Sequence, residues 1–185
     1  MEKKKKIVLI SFITIIAIAF AMIPVIKRNQ KYPAAEKVMI KKETTSEIRE
    51  GLSFSIQETK WMDREELEKN YADVLEMGED RDYKAAFVTA TLKNETNKEQ
   101  KYEVYRLYIE SDDIHYYNGL DMELYTAIEG NPSAEVTLKP KEEITVILPY
   151  SVLDLYFEKN QWNTLEENRF YLVEQRYPKK ICWEI

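Results

Sequence analysis

Hydrophobic and polar positions divide the chain into one continuous apolar run and a long alternating region. Ile7–Ile26 (IVLISFITIIAIAFAMIPVI) is interrupted only by Ser11, Thr14 and Pro24. Twenty helical residues at about 1.5 Å each span about 30 Å, the thickness of a bilayer's hydrocarbon core. Lys3–Lys6 precede the run directly, and the positive-inside tendency places them in the cytoplasm. The run therefore predicts a single-pass signal anchor with the C-terminal domain outside the cell membrane. The alternative is a secreted protein cleaved near Ala21, because Ala19-Phe20-Ala21 has the small-x-small form of a signal-peptide site. On the first reading, residues 1–6 are a basic cytoplasmic tail and 7–26 the membrane helix. Residues 27–35 are then a stalk carrying Pro33, and 36–185 the folded domain.

Within that domain Val38–Ile40 predicts an edge strand, Lys41–Glu50 a charged loop, and Leu52, Phe54 and Ile56 a half-buried strand of period two. Asp63-Arg64-Glu65-Glu66 has the form of a capping box, and Leu67, Tyr71, Val74 and Leu75 follow at helical spacing. One amphipathic helix is expected over about 64–76, ending near Gly78, with Leu67 and Tyr71 packed on a sheet. Tyr83–Leu92 and Tyr102–Glu110 alternate on either side of the polar NETNKEQ segment and predict a hairpin. Further strands are expected at Ile114–Asn118, Leu120–Ile128, Val136–Leu138, Ile144–Leu148 (ended by Pro149-Tyr150), Phe170–Val173 and Ile181–Ile185. Ser151–Phe157 shows no pattern, and Asn160–Asn168 reads as a loop. The sum is a mainly β sandwich or barrel of about seven to nine strands with one short helix inserted.

Charge narrows the partners. The net charge is −6, yet residues 51–185 alone carry 16 basic and 28 acidic residues. Such a domain repels phosphate backbones, so no nucleic acid is expected as a partner. One cysteine, Cys182, permits no internal disulfide, so the domain must stand on its hydrophobic core; Cys182 is expected to fill that core.

Two turn segments carry a resemblance. The strand ending in Asn94-Glu95-Thr96, the strand at Lys101–Ser111 and the turn Leu138-Lys139-Pro140-Lys141-Glu142 are similar to those of a known family. These are immunoglobulin-like extracytoplasmic domains of unknown function, found behind signal peptides or single anchors in Gram-positive bacteria. Lys141 stands where the family carries glycine, which makes a different turn the expectation there. The resemblance covers roughly 36–185 and implies an immunoglobulin-like sandwich. Its motifs are turns and strand edges, so it implies no catalytic residues and no cofactor.

The residues offer few chemical centres. His115, the single histidine, has Asp112 and Asp113 before it and Asp121 and Glu123 after it. That could suit a metal or a Ser/His/Asp arrangement, but no nucleophile or zinc motif accompanies it. Glu79–Asp82 and Asp112-Asp113 lack the spacing of a calcium loop and read as solvated turns. Asn94-Glu95-Thr96 matches a glycosylation acceptor and reads as a polar turn. Tyr102, Tyr105, Tyr108, Tyr116, Tyr117 and Tyr125 could stack on a sugar or peptide. Tyr102 and Tyr108 lie on the opposite strand face from Tyr105, and an outward Tyr102/Val104/Tyr108 strip is the expected contact surface. The expectation is a non-catalytic, membrane-anchored binding module for a protein or cell-wall ligand, with no metal and no cofactor. The alternatives are an accessory subunit that contacts a membrane complex through Ile7–Ile26, and a surface hydrolase using His115.

Overall fold

A computed structural model describes residues 2–74 and 81–185, with the side chains of residues 2–10, 13 and 17 outside the description. It contains two compact units, one ending at Glu36 and one comprising Lys37–Ile185. The first is helix α1 (Glu2–Lys31), which contains Pro24 and bears basic Arg28 and Lys31 in its last turn. Its described apolar side chains, Phe12, Ile15, Ile18 and Phe20 among them, are exposed. Among the described residues, no helix is long and apolar enough to cross a membrane; the side chains of residues 7–10, 13 and 17 of the Ile7–Ile26 run lie outside the description.

The second unit is built from strands β1 (Glu36–Ile40), β2 (Ser46–Arg49), β3 (Leu52–Met62), β4 (Tyr83–Asn94), β5 (Gln100–Glu103), β6 (Tyr108–Ser111), β7 (Tyr116–Gly119), β8 (Glu135–Leu138), β9 (Glu143–Leu153), β10 (Tyr171–Arg176) and β11 (Lys179–Glu184). One sheet has the order β1-β11-β10-β6-β7, and the other β2-β3-β4-β9; β5 and β8 form a separate ribbon. The alternation read from the chain supplies the core between them. Leu52, Phe54 and Ile56 of β3, Val88 and Ala90 of β4, and Val146 and Leu148 of β9 meet Ile109, Leu172 and Trp183 of the facing sheet. Phe54 and Trp183 join the two sheets with ring centroids 4.9 Å apart, and Trp183 Nε1 donates to Ser46 Oγ at 2.8 Å.

Three short helices complete the domain. Helix α2 (Arg64–Tyr71) starts as expected, with Asp63 accepting from the Glu66 backbone N–H; the Glu66 carboxylate pairs with Lys60. Leu67 is buried, and Tyr71 stacks on Phe87 of β4. The expected end of this helix at Glu76–Gly78 lies outside the described residues. Helix α3 (Met122–Ala127) replaces the strand expected at Leu120–Ile128. Asp121 caps it by accepting from Leu124 N, and helical spacing brings Leu124 and Ile128 onto Tyr83, Ala85 and Phe87. These residues form a smaller core on the outer face of β4. Helix α4 (Lys159–Asn163) occupies the expected Asn160–Asn168 loop, begun by Gln161 Oε1 accepting from Glu158 N.

Other expectations change with tertiary pairing. Among the described residues eleven strands replace seven to nine, since β2 lies in the expected Lys41–Glu50 loop and the Tyr102–Glu110 strand is two strands. The expected hairpin does not form: β4 pairs with β3 and β9, whereas β6 pairs with β10 and β7. Residues 95–107 thus carry the chain from one sheet to the other. Pro149 does not end β9, which continues to Leu153. At the edge of its sheet, β9 can hold a residue without an N–H on its open side. That open side is closed by neighbours: Asn131 bonds both Ile147 N and O, and the Asp121 N–H donates to Pro149 O.

Candidate functional site

The expected Tyr102/Val104/Tyr108 strip is corrected by burial. Tyr102 is 1% exposed and Val104 fully buried; Tyr108 is half-buried. A 3-10 turn at Val104–Arg106, with Leu107 N donating to Val104 O, resets the alternation between β5 and β6. Tyr102 and Val104 therefore face the core, and Tyr105 faces solvent instead.

Three of the four carboxylates near His115 in sequence, Asp112, Asp113 and Asp121, are engaged elsewhere. Asp112 binds Lys37 at 2.6 Å, and Asp113 takes a two-pronged contact from Arg169; each carboxyl is held below its usual range by that cation. Asp121 caps α3 and accepts from Ser151 Oγ. Ser151 thus hands its hydrogen to a carboxylate, with no imidazole between them. Among the described residues no group of three or more His, Cys, Asp or Glu side chains could hold a metal. Glu79 and Asp80 lie outside the described residues; Asp82 accepts from Trp162 Nε1 at 2.9 Å. Cys182 is buried, and desolvation raises its thiol.

Asn94-Glu95-Thr96 is a turn built around the buried Asn94 side chain, with Glu95 exposed. The Asn94 amide nitrogen donates to the carbonyls of Lys98, Leu138 and Lys139 at 2.7, 3.2 and 2.9 Å. Its oxygen accepts from Thr96 N and Thr96 Oγ1 at 2.9 and 2.7 Å. The two turn motifs of the sequence are thereby one unit. Glu142 closes the second turn by accepting from Lys139 N. Lys141 keeps the left-handed conformation of a glycine (φ 64°) and donates through Nζ to Glu95 O.

His115 does take part in a different feature. A cleft of about 450 Å³ is lined by Ile114, His115, Tyr116, Tyr117, Asn118, Ser151, Leu153 and Tyr156. The left-handed backbone of His115 (φ 52°) turns the chain into β7. Strand β7 is then tied to the end of β9, as Asn118 Nδ2 and Tyr116 OH donate to Ser151 O at 2.6 and 3.4 Å. Tyr116 packs against Phe157 and Tyr156 with centroids 5.0 and 6.2 Å away, and burial raises its phenol. Tyr117 and Tyr156 remain 77% and 61% exposed. Among the described residues no Asp, Glu, Lys or Arg lines this cleft, in a chain that is 32% charged. Sequence reasoning singled out Tyr116 and Tyr117 but missed Tyr156, whose 3-10 turn at Asp154–Tyr156 lies inside the unpatterned Ser151–Phe157 stretch.

The fold and cleft define a mainly β sandwich domain following an N-terminal helix. Residues 29–181 match the domain of unknown function DUF5028, and the chain belongs to that family. None of the curated proteins matches it. Among solved structures it is similar to the yjhA protein of Bacillus subtilis (10% identity, 78% of this chain and 98% of that one, TM-score 0.47). It is also similar to an uncharacterised β-sandwich protein of Clostridium difficile (10% identity, 82% and 95%, TM-score 0.43). A functionally unknown protein of Listeria monocytogenes gives 12% identity, 72% and 73% coverage and a TM-score of 0.44.

Proposed function

We propose that the chain is a non-catalytic, membrane-anchored extracytoplasmic binding module whose cleft at Tyr116, Tyr117 and Tyr156 takes an uncharged carbohydrate of the cell wall. The uncharged aromatic lining carries this reading. Exposed phenol rings offer flat faces to the C–H side of a sugar, while His115 and Asn118 offer hydrogen bonds to its hydroxyls. Ile7–Ile26 provides the anchor on the strength of its length and composition, with only residues 32–35 between α1 and β1. The immunoglobulin-like reading is supported by the pairing β3-β4-β9 against β11-β10-β6-β7. In chain order this matches strands A-B-E against G-F-C-C′.

Purified full chain in detergent micelles should bind isolated cell-wall polysaccharide saturably. Tyr117→Ala and Tyr156→Ala should each weaken binding at least tenfold without lowering stability, since both rings are exposed. Equal binding by both variants sinks the cleft. Protease shaving of whole cells tests the orientation: survival of the domain alongside digestion of other surface proteins counts against it. The exposed apolar side of α1 favours a second reading, an accessory subunit that uses the helix as its contact. Only that reading has function lost when Ile7–Ile26 is replaced by an unrelated anchor.

A further inference from the structure

A second cleft, of about 380 Å³, is lined by Arg49, Glu50, Thr96, Gln100 and Arg176. Its two guanidinium groups come from opposite sheets, Arg49 from the end of β2 and Arg176 from the end of β10. Their pairing is unusual for this protein. Arg64, Arg106 and Arg169 each hold a carboxylate at 2.6, 3.1 and 3.0 Å. Arg49 instead donates to the neutral side chain of Gln100 at 3.2 Å. Arg176 has a looser contact, 3.6 Å, to Glu174. A guanidinium has five donors in a fixed fork, so most of the donors in this lining are unused.

The ground beside the cleft is equally unsettled. Glu174 is 1% exposed, and neither of its carboxylate oxygens has a well-formed hydrogen bond; Arg176 at 3.6 Å and the Tyr102 hydroxyl are its loose polar neighbours. The buried Tyr102 hydroxyl faces Glu174 without a well-formed bond, and the buried Tyr150 hydroxyl has no hydrogen-bond partner among the described residues. Buried polar groups are seldom left in this state, and a buried carboxylate that lacks strong hydrogen bonds is costly. Arg176 is thus weakly held by its own strand, and among the described residues Arg49 has no carboxylate at ion-pair distance, only the longer-range charges of Glu103 and Glu174.

We propose that this cleft binds a small oxyanion group, a carboxylate or a sulfate- or phosphate-type group of a ligand. Arg49 and Arg176 clamp it from the two sheets, with Gln100 and Thr96 beside them. The matching chemistry is the planar fork against paired oxygens. Glu50 is the one carboxylate in the lining, and Glu174 competes with the ligand for Arg176. The site is separate from the aromatic cleft and does not depend on its ligand.

Calorimetric titration of the full chain in neutral detergent, at fixed ionic strength, tests this with sodium acetate and sodium sulfate as probes and sodium chloride as the control. Saturable binding of acetate or sulfate, but not chloride, is expected; which one binds tells a carboxylate from a sulfate- or phosphate-type source. Arg49→Gln and Arg176→Gln should each weaken it at least tenfold. Arg49→Lys, which keeps the charge without the fork, should recover only part of the loss. Glu174→Gln should tighten binding several-fold, and Tyr117→Ala should leave it unchanged. A response equal to that of chloride, or one that survives Arg49→Gln, overturns the proposal. Both arginine side chains reach solvent, and thermal melts of each variant establish that it is folded.

Discussion

Asn94→Asp isolates what one amide contributes to this sandwich. The side chains have the same shape, so packing is unchanged and only hydrogen-bond polarity differs. The two bonds accepted from Thr96 survive. The three carbonyls of Lys98, Leu138 and Lys139 then face an oxygen where they faced an N–H₂. An amide supplies two hydrogens to those three acceptors, so two donated bonds are lost. Each lost bond that leaves a buried group unpaired costs about 1–3 kcal/mol, which makes about 2–6 kcal/mol in total. That is a large part of a typical stability of about 5–15 kcal/mol. The deficit must also depend on pH. Facing carbonyls raise the folded-state pKa of the new carboxyl above its unfolded value of about 3.9. The deficit is therefore smallest below about pH 4 and grows by up to about 1.4 kcal/mol per pH unit until the folded pKa is passed. Urea unfolding followed by tryptophan fluorescence at pH 4 and pH 7.5 reads both effects. A deficit under about 1 kcal/mol at pH 7.5, or one equal at the two pH values, would refute the reasoning.

Gly51 has φ +73°, and a Cβ there would lie 2.2 Å from Thr96 Cγ2. Gly51→Ala should cost about 2–3 kcal/mol in the same unfolding assay, part of it left-handed backbone strain. Adding Thr96→Ser should recover the steric part but not the rest. Lys141→Gly should raise the melting temperature slightly, a gain of about 0.5 kcal/mol, because an L-residue at φ 64° is strained. A drop would mean that the Lys141 bond to Glu95 O outweighs the strain. Burial raises the Glu174 carboxyl above its ordinary value against the opposing pull of Arg176. A raised acid favours folding while protonated, and that contribution fades as pH climbs from about 4.3 through the folded pKa. Glu174→Gln should match the parent near pH 4 and melt higher than it at pH 7.5; a constant gap refutes the shift.

Much of the local order was legible in the chain. Alternation at Leu52–Ile56, Ala86–Leu92 and Ile144–Leu148 identified strands because a sheet buries every second side chain on one face. Asp63 announced α2 because a carboxylate beside the first free N–H groups supplies the acceptor they lack. The composition of Ile7–Ile26 alone marks it as a candidate span. The same alternation says nothing about which strand is the neighbour. Tyr83–Leu92 and Tyr102–Glu110 looked like a hairpin, yet they lie in separate sheets, because burial between two sheets outweighed the short connection. The 3-10 turn at Val104–Arg106 inverted the expected faces of Tyr102 and Val104, and a single extra turn does this wherever the period is two. Asp121 read as part of a strand, but its cap and the outer face of β4 made α3. Both clefts belong to tertiary structure alone. Tyr117 shares a cleft with Tyr156, and Arg49 shares one with Arg176, across long stretches of chain. Local patterning records which side of a segment avoids water, and only the packing of two sheets decides which distant side chains share a cleft.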